Sequence, residues 1–305
     1  MSGAVNEPVG GMATRCGHIA IVGRPNVGKS TLLNHLLRQK ISITSRKPQT
    51  TRNRILGIST TDAAQCVYVD TPGLDRRHRK AINRVMNETV MAVVAEVDVI
   101  VLVCERLNWD ERDQAVLDAA AGSAAPVLLA INKIDQIVDK RRLLPHIERL
   151  AGLHGFAEIV PVSALGGHNL DALEASLRGL LPESAFLFPA DQVTDASSRF
   201  LAAELIREKI TRRLGDELPY EVTVEIEQFT EVGGTLRILA LITVDKPGQK
   251  RILIGEGGQR LKQIAAAARK DMEQAFESKV MLECWVKVRT GHMTEARALK
   301  SLQAK

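Results

Sequence analysis

Gly23-Arg-Pro-Asn-Val-Gly28-Lys29-Ser30 is the stretch on which the fold of this chain turns. It matches G-x-x-x-x-G-K-[ST], with the apolar run His18–Val22 before it and a helical apolar face of Leu32, Leu33, Leu36 and Leu37 after it. A strand, a glycine-rich loop and a helix in that order turn successive backbone N–H groups inward around a phosphate. The glycines permit the turn and the helix N-terminus adds positive potential. Lys29 supplies a point charge for β- and γ-phosphates, and Ser30 a hydroxyl for Mg2+. The expected phosphate-binding set is Gly23, Arg24, Pro25, Asn26, Val27, Gly28, Lys29, Ser30 and Thr31.

Outward from this loop, His18–Val22, Gln65–Val69, Val97–Cys104, Val127–Ile131 and Glu158–Val162 read as short buried strands separated by helical patterns. Such alternation predicts an α/β domain, a mostly parallel sheet with helices on both faces. Val67-Tyr-Val-Asp70-Thr71-Pro72-Gly73 ends a strand in a carboxylate. At a strand's carboxyl edge Asp70 can hold Mg2+ through water, while the Gly73 amide senses a γ-phosphate. Asn132-Lys133-Ile134-Asp135 follows another strand. An ionised Asp accepts two hydrogen bonds and donates none, which matches the adjacent N1–H and amine of guanine and leaves adenine unmatched. Asn132 and Lys133 are expected to brace that loop, and the Ala164 amide of Ser163-Ala164-Leu165 to meet guanine O6.

The chain has 305 residues, 45% hydrophobic and 25% charged, which excludes wholesale disorder and suits two domains of about 150 residues. Aromatics make up only 3%, so the core must be aliphatic. Forty-one basic residues against 36 acidic give +5, compatible with a polyanionic partner without specifying one. The longest uncharged apolar-rich run, Ala119–Ile131, is far short of the roughly 20 residues of a membrane span. Met1–Cys16 carries no export-type apolar core and reads as a flexible leader. Cys16, Cys66, Cys104 and Cys284 are widely spaced in or beside apolar stretches, as expected of reduced buried thiols in a cytoplasmic protein rather than disulfides or a zinc site.

After Leu181 the pattern changes. Residues 182–195, with Pro182 and Pro189, read as a linker. A helix follows with an apolar stripe at Leu201, Leu205, Ile206, Ile210 and Leu214. Tyr220, Val222, Val224 and Ile226 then alternate with Glu221, Thr223, Glu225 and Glu227, a half-buried strand. A turn over Glu231–Gly234, a strand over Leu236–Val244, a long helix near Gly258–Phe276 and a strand over Val280–Arg289 complete a small α+β unit. Lys250-Arg251-Ile-Leu-Ile-Gly255-Glu256-Gly257-Gly258-Gln-Arg260-Leu-Lys262 places a Gly-x-x-Gly loop between helical segments. Alone such a loop is usually a turn; in α-β-β-α-α-β order it resembles a type II KH domain, whose loop admits a nucleic-acid backbone. The outward face of the last strand carries Trp285, Lys287 and Arg289, suited to stacking and phosphate contact, although Trp285 could equally pack under the C-terminal segment.

The four loop motifs together resemble the translation-factor-type GTPases, and Gly23–Ser30 is worded like the branch holding Era, Der and MnmE. Ile43-Thr-Ser-Arg-Lys-Pro-Gln-Thr50-Thr51-Arg52 and the KH pattern make the chain similar to the Era family over about residues 17–290. A single P-loop argues against Der, and Gly255–Gly258 against MnmE. The resemblance implies a GTPase with GTP/GDP and Mg2+ as ligands. It makes Thr51 the switch threonine that joins Ser30 and Asp70 at Mg2+, with Thr50 the near alternative, and Lys29, Thr51, Asp70 and Gly73 the catalytic set. It also makes Asn26 a candidate K+ ligand, the plain alternative being a turn-forming Asn beside Pro25. Leu74 departs from the Ras-like pattern, which places a water-orienting Gln after the Asp-x-x-Gly glycine; slow intrinsic turnover follows, with the water held by another polar group, K+ or a partner. Arg46, Lys47, Arg52 and Arg54, then Arg76, Arg77, Arg79, Lys80 and Arg84, flank the two switches, as a solvated face or as nucleotide-dependent RNA contacts.

The expected organisation is a leader over 1–16, a GTPase domain over 17–181, a linker over 182–195 and a type II KH domain with a tail over 196–305. RNA contacts are expected from Lys250, Arg251, Gly255, Glu256, Gly257, Gly258, Arg260, Lys262, Lys287 and Arg289, with Glu256 an acidic departure in a phosphate-facing loop. The resemblance further implies binding near the 3′ end of 16S ribosomal RNA, small-subunit assembly, a cytoplasmic monomer and peripheral membrane association. Two alternatives stay open: a related P-loop GTPase with another RNA or ribosomal client, and an RNA-binding module with a vestigial nucleotide site.

Overall fold

The computed structural model describes residues 14–45, 54–74, 81–214 and 222–289, with no side-chain account of 81–86. Six strands form the first sheet: β1 (Arg15–Val22), β2 (Ile55–Thr60), β3 (Ala64–Asp70), β4 (Val99–Glu105), β5 (Val127–Asn132) and β6 (Glu158–Pro161). Their order is β2-β3-β1-β4-β5-β6, all parallel except β2, which runs antiparallel to β3. Five helices cover it: α1 (Lys29–Leu36), α2 (Ala81–Glu96), α3 (Glu111–Ala121), α4 (Leu143–Ala151) and α5 (Leu170–Leu180).

Strand periodicity decides which helix lies where. Ala20, Val22, Ile100 and Leu102 point to one face, against Val93 of α2, Val116 of α3 and Leu150 of α4. Ile19, Ile21, Val99 and Val101 point to the other, against Leu32 and Leu33 of α1 and Leu173 and Leu177 of α5. Every residue of β3 is buried, as a strand covered on both sides requires. The sequence pattern does not show β2. Its apolar residues Ile55, Leu56 and Ile58 neither alternate nor run continuously, and pairing with β3 supplies the strand order that local sequence lacks.

The second sheet has the order β7-β8-β9, with β7 (Thr223–Val232) antiparallel and β9 (Lys279–Val288) parallel to β8 (Thr235–Val244). β7 runs past the expected start of its turn, and the turn itself is Gly233-Gly234, both with positive φ, as a two-residue hairpin favours. Tyr220 and Glu221 of the predicted alternation lie outside the described residues. Helices α6 (Ser198–Arg213), α7 (Pro247–Ile254) and α8 (Gln259–Ala275) share one core with the inward face of this sheet, through Ile206, Leu253, Ile264, Met272, Ile242 and Val286. α6 is capped by Ser197, whose Oγ accepts from Phe200 N.

The segment between α5 and α6, expected as a linker, is bonded down along the first sheet. The buried Gln65 amide accepts from Leu187 N and Phe188 N and donates to Phe188 O. Thr194 Oγ1 donates to Leu56 O, and Ile58 N to Val193 O. Cys16, Cys66 and Cys104 are buried free thiols. Among the described residues no helix is long and apolar enough to cross a membrane.

Leu129 lies at the middle of β5 with no exposed surface, whereas Leu144 is exposed on α4. Leu129→Ala should lower unfolding free energy by about 2–5 kcal/mol through lost burial and a residual cavity. Leu144→Ala should stay within about 0.5 kcal/mol. Urea unfolding monitored by circular dichroism checks both values, and equal losses would contradict the assigned core.

Candidate functional site

Because β1, β3, β5 and β6 are parallel, the loops after them emerge at one edge, where open α/β sheets bind ligands. They surround a cleft of about 900 Å³. The loop after β1 enters α1 through Gly28 at φ 105°, with no side-chain cap on the helix. A Cβ at Gly28 would fall 2.3 Å from Asn132 Nδ2, so this close approach admits only glycine. The uncapped N–H groups of α1 thus face the cleft, the arrangement an anion needs.

Lys29 is buried, and its Nζ donates to Gly23 O at 2.9 Å and Arg24 O at 3.0 Å. Burial pulls its amine down to about 8, against the opposing pull of Asp70. Ser30 Oγ donates to Asp70 Oδ2 at 2.8 Å. A hydroxyl and a carboxylate, both hard oxygen donors, next to a phosphate loop fit Mg2+. Ser42 was not foreseen: fully buried, it donates through Oγ to the same Asp70 oxygen at 2.7 Å. Asn34 on α1 holds Ser42 in place, its Oδ1 accepting from Ser42 N and its Nδ2 donating to Ser42 O. The only local trace of this role is a polar residue between the buried Ile41 and Ile43. Thr71 Oγ1 donates to Ile21 O, fixing the loop after β3 against β1.

Asn132 links three loops. Its Nδ2 donates to Val27 O at 2.8 Å, and its Oδ1 accepts from Lys133 N and Ala164 N. The Ala164 amide, expected to meet guanine O6, here donates to Asn132 Oδ1 at 2.9 Å, and the buried carboxamide oxygen thereby has partners of its own. Lys133, at φ 61°, reaches over to Asn26 O at 2.7 Å and to Glu105. Glu105 also pairs with Arg24 at 3.0 Å, and Arg24 with Asp113 at 3.0 Å. Burial would raise the Glu105 carboxyl, but the Lys133 hydrogen bond and the Lys133 and Arg24 charges hold it below the usual range. Neither Glu105 nor Asp113 stands out in the sequence, since each lies distant from the loop it supports. Asp135 sits in a single 3-10 turn over Ile134–Gln136, and one of its oxygens accepts from Ser163 Oγ at 2.5 Å. Leu165 is 75% exposed at the rim.

Asn26 has φ 67°, the left-handed conformation Asn tolerates, as its turn-forming reading requires. Leu74 is buried in the first core. Thr50, Thr51, Arg46, Lys47, Arg52, Arg76, Arg77, Arg79 and Lys80 lie outside the described residues, as does the side chain of Arg84. Arg54 is exposed just before β2.

In the second unit, Gly255, Gly257 and Gly258 all have positive φ, and a Cβ at Gly257 or Gly258 would meet nothing within 4 Å. The loop is therefore open to a close-approaching backbone. Glu256, Arg251, Arg260 and Lys262 are exposed around it, Lys250 partly so, and Arg260 also donates to Ile252 O. Lys287 is not gathered with them: it lies on the outward face of β9, opposite the helices, beside a Trp285 that is 61% exposed. Arg289 bonds Thr223 and lies 3.7 Å from Asp245.

A family model described as a 50S ribosome-binding GTPase matches residues 18–133, and a KH domain model matches residues 217–292. GTPase Era of Pseudomonas savastanoi pv. phaseolicola is 58% identical over 290 residues, 95% of this chain and 97% of that protein. GTPase Era of Azotobacter vinelandii is 58% identical over 288 residues, 94% of this chain and 96% of that one. Among solved structures, an Aquifex aeolicus Era variant bound to GDP and AlF4− superposes with TM-score 0.87 at 40% identity, over 90% of this chain and 94% of that one. Era in complex with MgGDPNP and nucleotides 1506–1542 of 16S ribosomal RNA superposes with TM-score 0.86, again at 40% identity and over 90% and 94% of the two chains. With its P-loop cleft, its KH unit and its likeness to these relatives along nearly its whole length, the chain belongs to the Era family of GTPases.

Proposed function

We propose that this GTPase is a slow switch whose nucleotide state governs the hold of its KH domain on 16S ribosomal RNA near the 3′ end, in small-subunit assembly. The observation that carries the reading is the meeting of Lys29, the Ser30–Asp70 pair and Asp135 in one cleft of a chain that also exposes an open Gly255–Gly258 loop. The family model over residues 18–133 names the large subunit, but the KH unit and the near-full-length likeness to Era, one member of which is seen with 16S RNA, favour the small one.

In this reading Lys29 and the α1 N-terminus clamp β- and γ-phosphates, and Gly73 faces the γ-phosphate. Ser30 and Asp70 would hold Mg2+ with Thr51, or its neighbour Thr50; when bound, the ion neutralises phosphate charge. Asp135, oriented by Ser163, accepts the N1–H and amine of guanine. Asn26 would be a ligand to K+ beside the α- and β-phosphates. The buried Leu74 leaves water orientation to another group, which suits a timed switch. A division into two domains agrees with the separate apolar cores of the two sheets. The bounds 17–181, 182–195 and 196–305 shift, however: Arg15 and Cys16, read as leader, already belong to β1, and Phe186, Phe188 and Val193, read as linker, pack against the first sheet. RNA would lie along Gly255–Gly258 between Lys250 and Arg251 on one side and Arg260 and Lys262 on the other, with Lys287 and Arg289 on a second face. A cytoplasmic, monomeric protein with a peripheral membrane pool completes the proposal.

Crosslinking and sequencing of bound RNA in GDPNP and GDP states tests the client; small-subunit 3′-end reads enriched with GDPNP are expected, and nucleotide-independent capture of other RNAs would refute it. Asp135→Asn should move preference from guanosine to xanthosine nucleotides, since the amide donates where xanthine accepts; retained GTP preference in competition binding would disprove the assigned base pocket. Bound phosphates favour the charged Lys29 amine, which titrates near 8 in the free protein. Affinity is therefore complete below pH 8 and declines above it, by about tenfold between pH 7 and 9. Titration with a fluorescent GDP analogue across that range checks the slope.

A further inference from the structure

The side chain of Glu208, on α6, has no exposed surface and lies where the two units meet. Its Oε1 accepts from Thr44 N at 2.9 Å, Thr44 Oγ1 at 3.2 Å and Arg212 at 3.0 Å. Its Oε2 accepts from Lys40 at 2.5 Å and Lys209 at 3.2 Å. Lys40 and Lys209 also bond Asp271 of α8. Arg212 donates to Thr44 O at 2.9 Å and to Thr44 Oγ1 at 2.7 Å. Every polar group of Thr44 is thus held by α6. Burial would raise the Glu208 carboxyl, but hydrogen bonds from Lys40 and Thr44 and the Lys40 and Arg212 charges keep it below the ordinary range.

Thr44 stands two residues from Ser42, which bonds Asp70 in the nucleotide cleft. Buried Ile43 joins them, and Thr44, Thr211 and Arg212 themselves line the cleft. A continuous bonded path therefore runs from Asp70 through Ser42 and Thr44 to α6, and through Lys40 and Asp271 to α8, the helix that begins at the Gly255–Gly258 loop. Buried charge networks admit few arrangements, because removing one partner strands the others.

We propose that Glu208 and Arg212 are positioning residues that fasten the lead-in to the first switch onto the RNA-binding domain, so that the nucleotide in the cleft and the seat of α6 are set together. This rests on the reading that nucleotide state governs RNA binding, and names the contact through which it does so. Coupling between two sites is typically 5–150-fold and reciprocal.

The test is a double-variant cycle on the full chain, with a transcript of the 3′ end of 16S ribosomal RNA as probe and its affinity measured with GDPNP and with GDP. The readout is the ratio of the two affinities, which a general loss of stability would not move. The unaltered protein should show a ratio of about fivefold or more. In Arg212→Ala the ratio should fall below twofold. Thr44→Val, which removes the shared hydroxyl from the other side, should lower it too, and the double variant should be no lower than Arg212→Ala alone. Arg212 is 47% exposed in its side chain, so its truncation is compatible with folding, and Thr44→Val gives an independent arm. An undiminished ratio in either single variant would overturn the proposal while leaving the switch reading intact. A ratio of one in the unaltered protein would overturn both.

Discussion

The carboxamide of Asn132 carries the constraint on which the cleft depends. Parallel strands deliver four loops to one edge of the sheet, but the sheet alone fixes only where each loop starts. Asn132 binds the P-loop at Val27, its own loop at Lys133 and the loop after β6 at Ala164. The distance between the phosphate cradle and the base pocket is thereby set by one short, buried side chain. Preorganisation of this kind lets a site hold a ligand without ordering itself at the moment of binding. It also explains why Gly28 lies against Asn132 with no room for a Cβ: the two loops are drawn together until backbone meets side chain.

Around that frame the buried charges are balanced locally. Arg24 reaches Glu105 and Asp113, and Glu105 in turn meets Lys133. Such pairs add little net stability once desolvation is counted, but they penalise any arrangement that parts them. Lys29 is the contrasting case. Its ammonium is held by two carbonyls and depressed by burial, a charge whose full complement arrives only with an anion. The cleft is rigid where it must keep geometry and electrostatically incomplete where the ligand belongs.

What could be read from sequence follows from how local each signal is. Gly23–Ser30, Asp70–Gly73 and Asn132–Asp135 declare themselves because loop, strand and helix are contiguous, and the chemistry sits inside one short window. Ser42, Glu105 and Glu208 do not, since each acts on a residue distant in sequence: Ser42 on Asp70, Glu105 on Arg24, Glu208 on Lys40 and Thr44. β2 failed for a related reason, its order coming from β3 rather than from its own pattern. The Ala164 amide shows the same limit: a motif gives the donors that a loop has, not the neighbouring carboxamide that one of them bonds.

The same distinction bears on the second unit. A Gly-x-x-Gly loop is legible as an open backbone, and here Gly257 and Gly258 do stand clear. Yet Glu256 places a negative charge within it, and Arg260 is partly engaged by Ile252 O. In the proposed RNA contact, phosphate affinity at the loop would then lean on Lys250, Arg251 and Lys262, flexible side chains whose individual contributions are modest and salt-dependent. A weak grip is the kind that a small conformational bias can turn on or off, because the free energy of coupling need only match a few such contacts. With Leu74 packed into the core where Ras-like GTPases place a water-orienting Gln, the proposed slow hydrolysis would supply a bias that lasts. Under the proposed switch reading, slow chemistry in one unit and modest affinity in the other would be matched properties: each would be a defect alone, and together they would make RNA binding depend on which nucleotide occupies the cleft.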